Sequence, residues 1–135
     1  MYDDPMKVFM EISLNQINFF KDLSKDIKNE WIFNMKHKQL EKGSLLYKLD
    51  TFSTEMYLIQ SGVVEIAHNL KNLKEDFLIE RLYRGSIINH NSFLLNDGID
   101  TDAKCQGTVS LYYIHIDTIN MLRQKYIALD NALEK

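Results

Sequence analysis

The residues best equipped for chemistry in this sequence are four histidines, a single cysteine and the polar side chains between Gly85 and Gly107. His37, His68, His90 and His115 fall at no metal-ligand spacing, and nothing resembles a paired His-x-His, so no metal site is expected. Cys105 has no base near it in sequence and reads as an interior strand thiol, not a nucleophile. There is no Ser-His-Asp signature, phosphate-cradling glycine-rich loop or kinase motif, so the chain is not expected to be an enzyme. What remains is binding chemistry. His90 is either a ligand-pocket donor that gains charge as pH falls, or a half-exposed loop histidine. With the Ser92 hydroxyl it could hold an anion weakly, against the nearby carboxylates Asp97, Asp100 and Asp102.

Such groups need a scaffold, and 135 residues suffice for one domain with a real core. With 45% apolar and 26% charged residues the chain is of ordinary globular type, which excludes a disordered or fibrous polymer. Sixteen Lys+Arg against nineteen Asp+Glu give a net charge of −3, which disfavours a nucleic-acid partner. A lone cysteine excludes an internal disulfide and suits a reducing, cytoplasmic setting. No apolar run approaches the roughly 20 residues needed to cross a bilayer, so this domain is not expected to insert in a membrane itself.

The hydrophobic period divides the chain in three. Residues 1–12, with the only proline, Pro5, read as a tail. Residues 13–36 read as helical, opened by a capping box from Ser13 to Gln16. Ser24 is a second N-cap, before the helical spacing of Ile27, Trp31, Ile32 and Met35. From 37 to 117 short apolar runs alternate with turns: Leu45-Leu46-Tyr47, Met56-Tyr57-Leu58-Ile59, Val63 to Ala67, Phe77-Leu78-Ile79, and Thr108 to Ile116 as a strand pair or one long strand. Gly43, Gly62 and Gly85 stand between these runs as turn residues needing φ > 0. Tyr112 and Tyr113 should split, one ring in and one out. Residues 118–135 return to helical spacing at Ile119, Leu122, Tyr126, Leu129 and Leu133, and Trp31, Met35, Met56 and Met121 read as core. The expected fold is α+β, mainly β: a double-stranded β-helix, or jelly-roll-like β-roll, flanked by N- and C-terminal helices.

This order resembles the cyclic-nucleotide-binding domain family of kinase regulatory subunits, channels and bacterial transcription regulators. Phe20-Lys21-Asp22-Leu23-Ser24 is similar to its "F-x-x-L-s" opening, and Lys42-Gly43-Ser44-Leu45-Leu46 to its "G-x-x-I" turn. Met56 to Ile66 resembles "M-Y-x-I-x-x-G-x-V-x-V", and Leu82-Tyr83-Arg84-Gly85 resembles the "L-x-x-G" before the phosphate-binding cassette. The resemblance covers roughly residues 14 to 130. It implies a single domain at 13–135, with an eight-stranded roll, a cassette at 85–103 that takes cAMP or cGMP, and C-terminal helices acting as a lid.

The cassette departs from the family pattern "G-x-x-F-G-E-x-A/S-L … R-x-A". The resemblance assigns the ligand positions to Asn89, His90, Asn91, Ser92, Thr101, Asp102 and Ala103. Ile88 replaces Phe, Asn89 replaces Gly, and His90 replaces the Glu that holds the ribose. Thr101, or Asp102 after a one-residue slip, stands where the phosphate-binding Arg belongs. A charge-assisted hydrogen bond contributes about 1.5–3 kcal/mol, so losing Arg weakens binding about 10- to 150-fold.

The resemblance therefore implies a regulatory module with weak or absent cAMP or cGMP binding and no other cofactor. Its form at Gly85-Ser86-Ile87-Ile88-Asn89 is similar to divergent eukaryotic channel versions. The expected parent is a potassium or cyclic-nucleotide-gated cation channel, with this domain on the cytoplasmic side of the membrane. The short stretch after Tyr126-Ile127-Ala128-Leu129 suggests a cut lid helix. Three alternatives stay open: a true nucleotide sensor of the kinase-regulatory type, a nucleotide-independent protein interaction module, and a transcription regulator with a helix-turn-helix beyond Lys135.

Overall fold

In a computed structural model, residues 4–47, 54–68, 77–88 and 102–134 are described. The chain begins with helix α1 (Pro5–Leu14), where the sequence suggested a tail. The Asp4 carboxylate accepts from the Met6 N–H at 2.9 Å, and Pro5 occupies the first turn, where its missing N–H costs nothing. Ser13, expected as an N-cap, instead lies buried in the last turn of α1. α2 (Asn18–Lys21) and α3 (Lys25–Phe33) follow, and Ser24 caps α3 by accepting from the Ile27 N–H at 3.4 Å.

Eight strands are described: β1 (Lys36–Leu40), β2 (Leu45–Tyr47), β3 (Glu55–Ser61), β4 (Val64–His68), β5 (Phe77–Leu82), β6 (Ile87–Ile88), β7 (Asp102–Cys105) and β8 (Val109–His115). They form two antiparallel sheets, ordered β1-β8-β3-β6 and β2-β7-β4-β5. Helices α4 (Ile116–Lys125) and α5 (Ile127–Leu133) close the chain. α4 starts two residues before Thr118 because His115 caps it, its Nδ1 accepting from the Asp117 N–H at 3.1 Å.

Strand alternation splits the apolar residues between two cores. Tyr57, Ile59, Val109 and Leu111 meet Val64, Ala103 and Cys105 between the sheets. Met56, Leu58 and Ile114 turn the other way, onto Leu14, Phe20, Trp31, Ile119, Leu122 and Leu129 of the helices. The first sheet is thus covered on both faces, which is why β3 reads as an unbroken apolar run. For the same reason Tyr112 and Tyr113 do not divide into inside and outside. Tyr112 packs on the helical core and Tyr113 on the roll core. Met121 is 51% exposed and does not belong to either core. Gly43, Gly62 and Gly85 all adopt positive φ, at 88°, 93° and 87°.

Candidate functional site

The concave face of the second sheet is built in cross-strand rows. Ala103 of β7 lies opposite Ile66 of β4, and Ile66 lies opposite Glu80 of β5. In the next row Cys105 faces Val64, and Val64 faces Leu82. Directly opposed residues share a face, so these six point into the roll. Val64, Ala103 and Cys105 are fully buried there, with Ile66 and Leu82 packed beside them. Burial pushes the Cys105 thiol pKa up, partly offset by Lys38, in keeping with an inert interior cysteine.

The opposite face of this sheet is polar. Glu65 and Arg81 form an ion pair at 2.8 Å across β4 and β5. Lys104, Asp102 and Glu65 line a groove of about 390 Å³ floored by Leu45, Ala67 and Leu78. The structure therefore separates two expected ligand residues: Ala103 turns into the roll and Asp102 lines the outer groove. Asn89, His90, Asn91, Ser92 and Thr101 lie outside the described residues. Among the described residues no group of three or more His, Cys, Asp or Glu could hold a metal ion, and no helix is long and apolar enough to cross a membrane.

The turn leading toward residue 89 is held firmly. The Gly85 N–H donates to the Ile59 carbonyl at 2.9 Å, and the Ile59 N–H donates to the Ser86 carbonyl at 3.0 Å. Arg84 stacks 4.1 Å from the centre of the Phe9 ring and donates to the Gln60 carbonyl at 2.8 Å. It thereby ties this turn to α1. Gln60 reaches α1 as well, with Nε2 3.0 Å from Met6 Sδ, and its Oε1 lies 3.0 Å from His37 Nε2. Burial raises the phenol pKa of Tyr112, whose ring meets His37 edge-on, and Asp4 adds to that shift.

A second junction joins the two ends of the chain. Glu30 of α3 accepts from Lys125 Nζ at 2.6 Å and from the Tyr126 hydroxyl. Lys125 and then Tyr126 hold the Glu30 carboxyl below its ordinary pKa, and the same contact raises the Tyr126 phenol. Arg123 binds Asp130 at 2.7 Å and also Glu134, fastening α4 to α5. Sequence reasoning found neither Arg84 nor Glu30. Arg84 sits at an unspecified position of the "L-x-x-G" resemblance. Glu30 reads as one more solvent-facing charge on an amphipathic helix.

The family model described as Cyclic nucleotide-binding domain matches residues 37–126. Among curated proteins none matches the sequence. Among solved structures, the regulatory domain of Toxoplasma gondii PKA with cAMP is similar at TM-score 0.77 and 20% identity, over 90% of this chain and 46% of that one. A cAMP-bound PfPKA-R gives 0.79 and 20%, over 90% of this chain and 43% of the other. The N-terminal domain of a transcriptional regulator from Streptomyces coelicolor gives 0.78 and 14%, over 90% and 86%. This chain therefore spans less than half of the two PKA regulatory chains, and at these identities the likeness is one of fold.

Proposed function

This chain belongs to the cyclic nucleotide-binding domain family, and we propose that it is a non-catalytic regulatory module that takes cAMP or cGMP weakly. The observation carrying this reading is the concave face itself. Ala103, which the resemblance puts at the end of the family's "R-x-A", is buried in the roll, and on that alignment Thr101 stands two residues before it in place of Arg. Its described neighbours on that face, Ile66, Val64 and Cys105, bring no cation, while Arg81 is engaged on the outer face by Glu65. A cyclic phosphate would then rely on neutral donors and on His90 when protonated, because Lys38 of the facing sheet, whose ammonium lies over the Tyr57 and Tyr113 rings, is already paired with Glu55 at 3.8 Å. The finer reading, a cytoplasmic module of a channel-type membrane protein, is supported by the form of Gly85–Asn89 alone.

The test is calorimetric titration with cAMP and cGMP at pH 6 and pH 8, on the wild type and on Thr101→Arg. Weak saturable binding is expected in the wild type, stronger at pH 6. Restoring the cation should tighten it about 10- to 150-fold. Micromolar wild-type binding unchanged by Thr101→Arg would overturn the weak-site reading. No heat up to millimolar nucleotide in either protein, with the fold intact, would leave a nucleotide-independent interaction module instead.

A further inference from the structure

Glu80 is out of place on the face it occupies. Strand β5 carries an irregularity against β4 between Ile66 and Ala67, so that Glu80 faces Ile66 while Leu78 faces Ala67. The irregularity sets Leu78 on the outer groove and leaves Glu80 on the inner face with Leu82. The row Cys105–Val64–Leu82 is apolar throughout. The row Ala103–Ile66–Glu80 is apolar until it ends on a carboxylate. Arg81, next in sequence, points to the other face and is paired with Glu65 at 2.8 Å, so it does not neutralise Glu80. Among the described residues Glu80 has no hydrogen bond or ion pair, and it is exposed.

From this placement we infer that Glu80 is a specificity-determining residue, whose carboxylate receives the base of the bound nucleotide and favours guanine over adenine. The inference rests on the cyclic-nucleotide reading above. With the anionic end of the ligand beside Ala103, the row leads about two strand spacings, roughly 10 Å, to Glu80. That distance keeps the carboxylate off the phosphate and puts it at the ligand's far end. Guanine presents two N–H donors side by side, N1–H and the 2-amino group, which fit the two oxygens of a carboxylate. Adenine presents one amino donor beside the N1 lone pair, which a carboxylate oxygen repels. The same side chain thus attracts one base and rejects the other. An amide at this position would reverse the pattern, because Gln can accept from the adenine amino group and donate to its N1.

Calorimetric titration of the 135-residue chain with cGMP and with cAMP tests the inference, in the wild type, Glu80→Gln and Glu80→Ala, with thermal melts as a folding control. The wild type should prefer cGMP by about tenfold, the scale of one charge-assisted contact. Glu80→Gln should lower cGMP affinity and raise cAMP affinity, and Glu80→Ala should bring the two together. A cGMP-to-cAMP ratio that is the same in all three proteins would overturn the inference and leave Glu80 as a charge guarding an exposed sheet edge, with the cyclic-nucleotide reading intact. Failure of the folded wild type to bind either nucleotide would instead overturn that underlying reading.

Discussion

Replacing Gly62 by Ala tests whether the turn joining the two sheets is as tightly specified as its geometry requires. Gly62 has φ +93°, a conformation that costs an L-residue about 1–2 kcal/mol. A Cβ there would lie 2.6 Å from the Thr108 carbonyl oxygen and 2.9 Å from Val109 Cγ2. The oxygen belongs to the backbone, so it cannot rotate away, and the strand entry must shift by several tenths of an ångström. Forcing a carbon into packed structure costs about 1–3 kcal/mol more, for a total near 3 kcal/mol. Gly43 supplies the control. Its φ is +88°, but an added Cβ meets nothing within 4 Å, so Gly43→Ala should cost only about 1 kcal/mol. With a urea m-value of about 1.5 kcal/mol/M, the unfolding midpoint should fall by about 2 M for Gly62→Ala and about 0.7 M for Gly43→Ala. Equal shifts in the two variants would refute the steric part of the argument. A loss below about 1 kcal/mol for Gly62→Ala would refute both parts.

Three further outcomes follow from two ionisable groups, Glu30 and Cys105. Glu30→Gln should speed amide hydrogen exchange across residues 116–133 while leaving β3 protected, because it removes the charged acceptor of Lys125 and Tyr126. The Glu30 carboxyl has its folded pKa lowered, so its contribution is present above the ordinary carboxylate pKa and is lost as pH falls through the lowered value. Fluorescence of the single tryptophan, Trp31, which lies next to Glu30 in α3, should follow that acid step in the wild type and not in Glu30→Gln. Cys105 is fully buried with its thiol pKa raised, so iodoacetamide should label it only through unfolding. Labelling should be slower than in urea by on the order of 10³-fold or more, and fast labelling of the folded protein would contradict the interior placement.

The roll was legible wherever a signal is local. Gly43, Gly62 and Gly85 each separate apolar runs in the sequence, and each takes the positive φ that a reversal demands. Ser24 could be recognised as a cap because the amphipathic spacing begins just after it. The failures share a different cause. Pro5 looks like a tail residue unless one knows that Phe9, Met10 and Leu14 have a helical core to pack against. Tyr112 and Tyr113 follow the period of two correctly, but the period does not reveal that the second face is covered by helices. Glu30 meets Lys125 and Tyr126 across 95 and 96 residues, beyond the reach of spacing rules. Glu80 shares the inner face with Leu82 by plain alternation, but the irregularity at Ile66/Ala67 turns Leu78 to the other face, and one such slip inverts every inference drawn from alternation beyond it. Of the expected ligand residues, Ala103 and Asp102 are placed, on opposite faces, and the other five fall outside the described residues.

The shared strands explain how a ligand inside the roll could matter to the helices outside it. β3 places Tyr57 and Ile59 in the roll core and Met56 and Leu58 in the helical core. β8 does the same with Leu111 and Ile114. A displacement of either strand by ligand-induced repacking therefore changes contacts in both cores, because close-packed interiors do not absorb volume changes. The Gly85 turn is bonded to Ile59 of the same β3 and, through Arg84, to α1. On the far side of the helical layer Glu30 holds α3 to the start of α5. Regulation through this route needs a ligand that binds one arrangement of these helices better than another, and the output cannot exceed that difference in affinity. On the proposed reading, in which Thr101 stands in place of the phosphate-binding Arg, the site has little binding energy to divide between two arrangements. A weak binder of this kind should consequently shift its helices only modestly, and Thr101→Arg should enlarge the shift as well as the affinity.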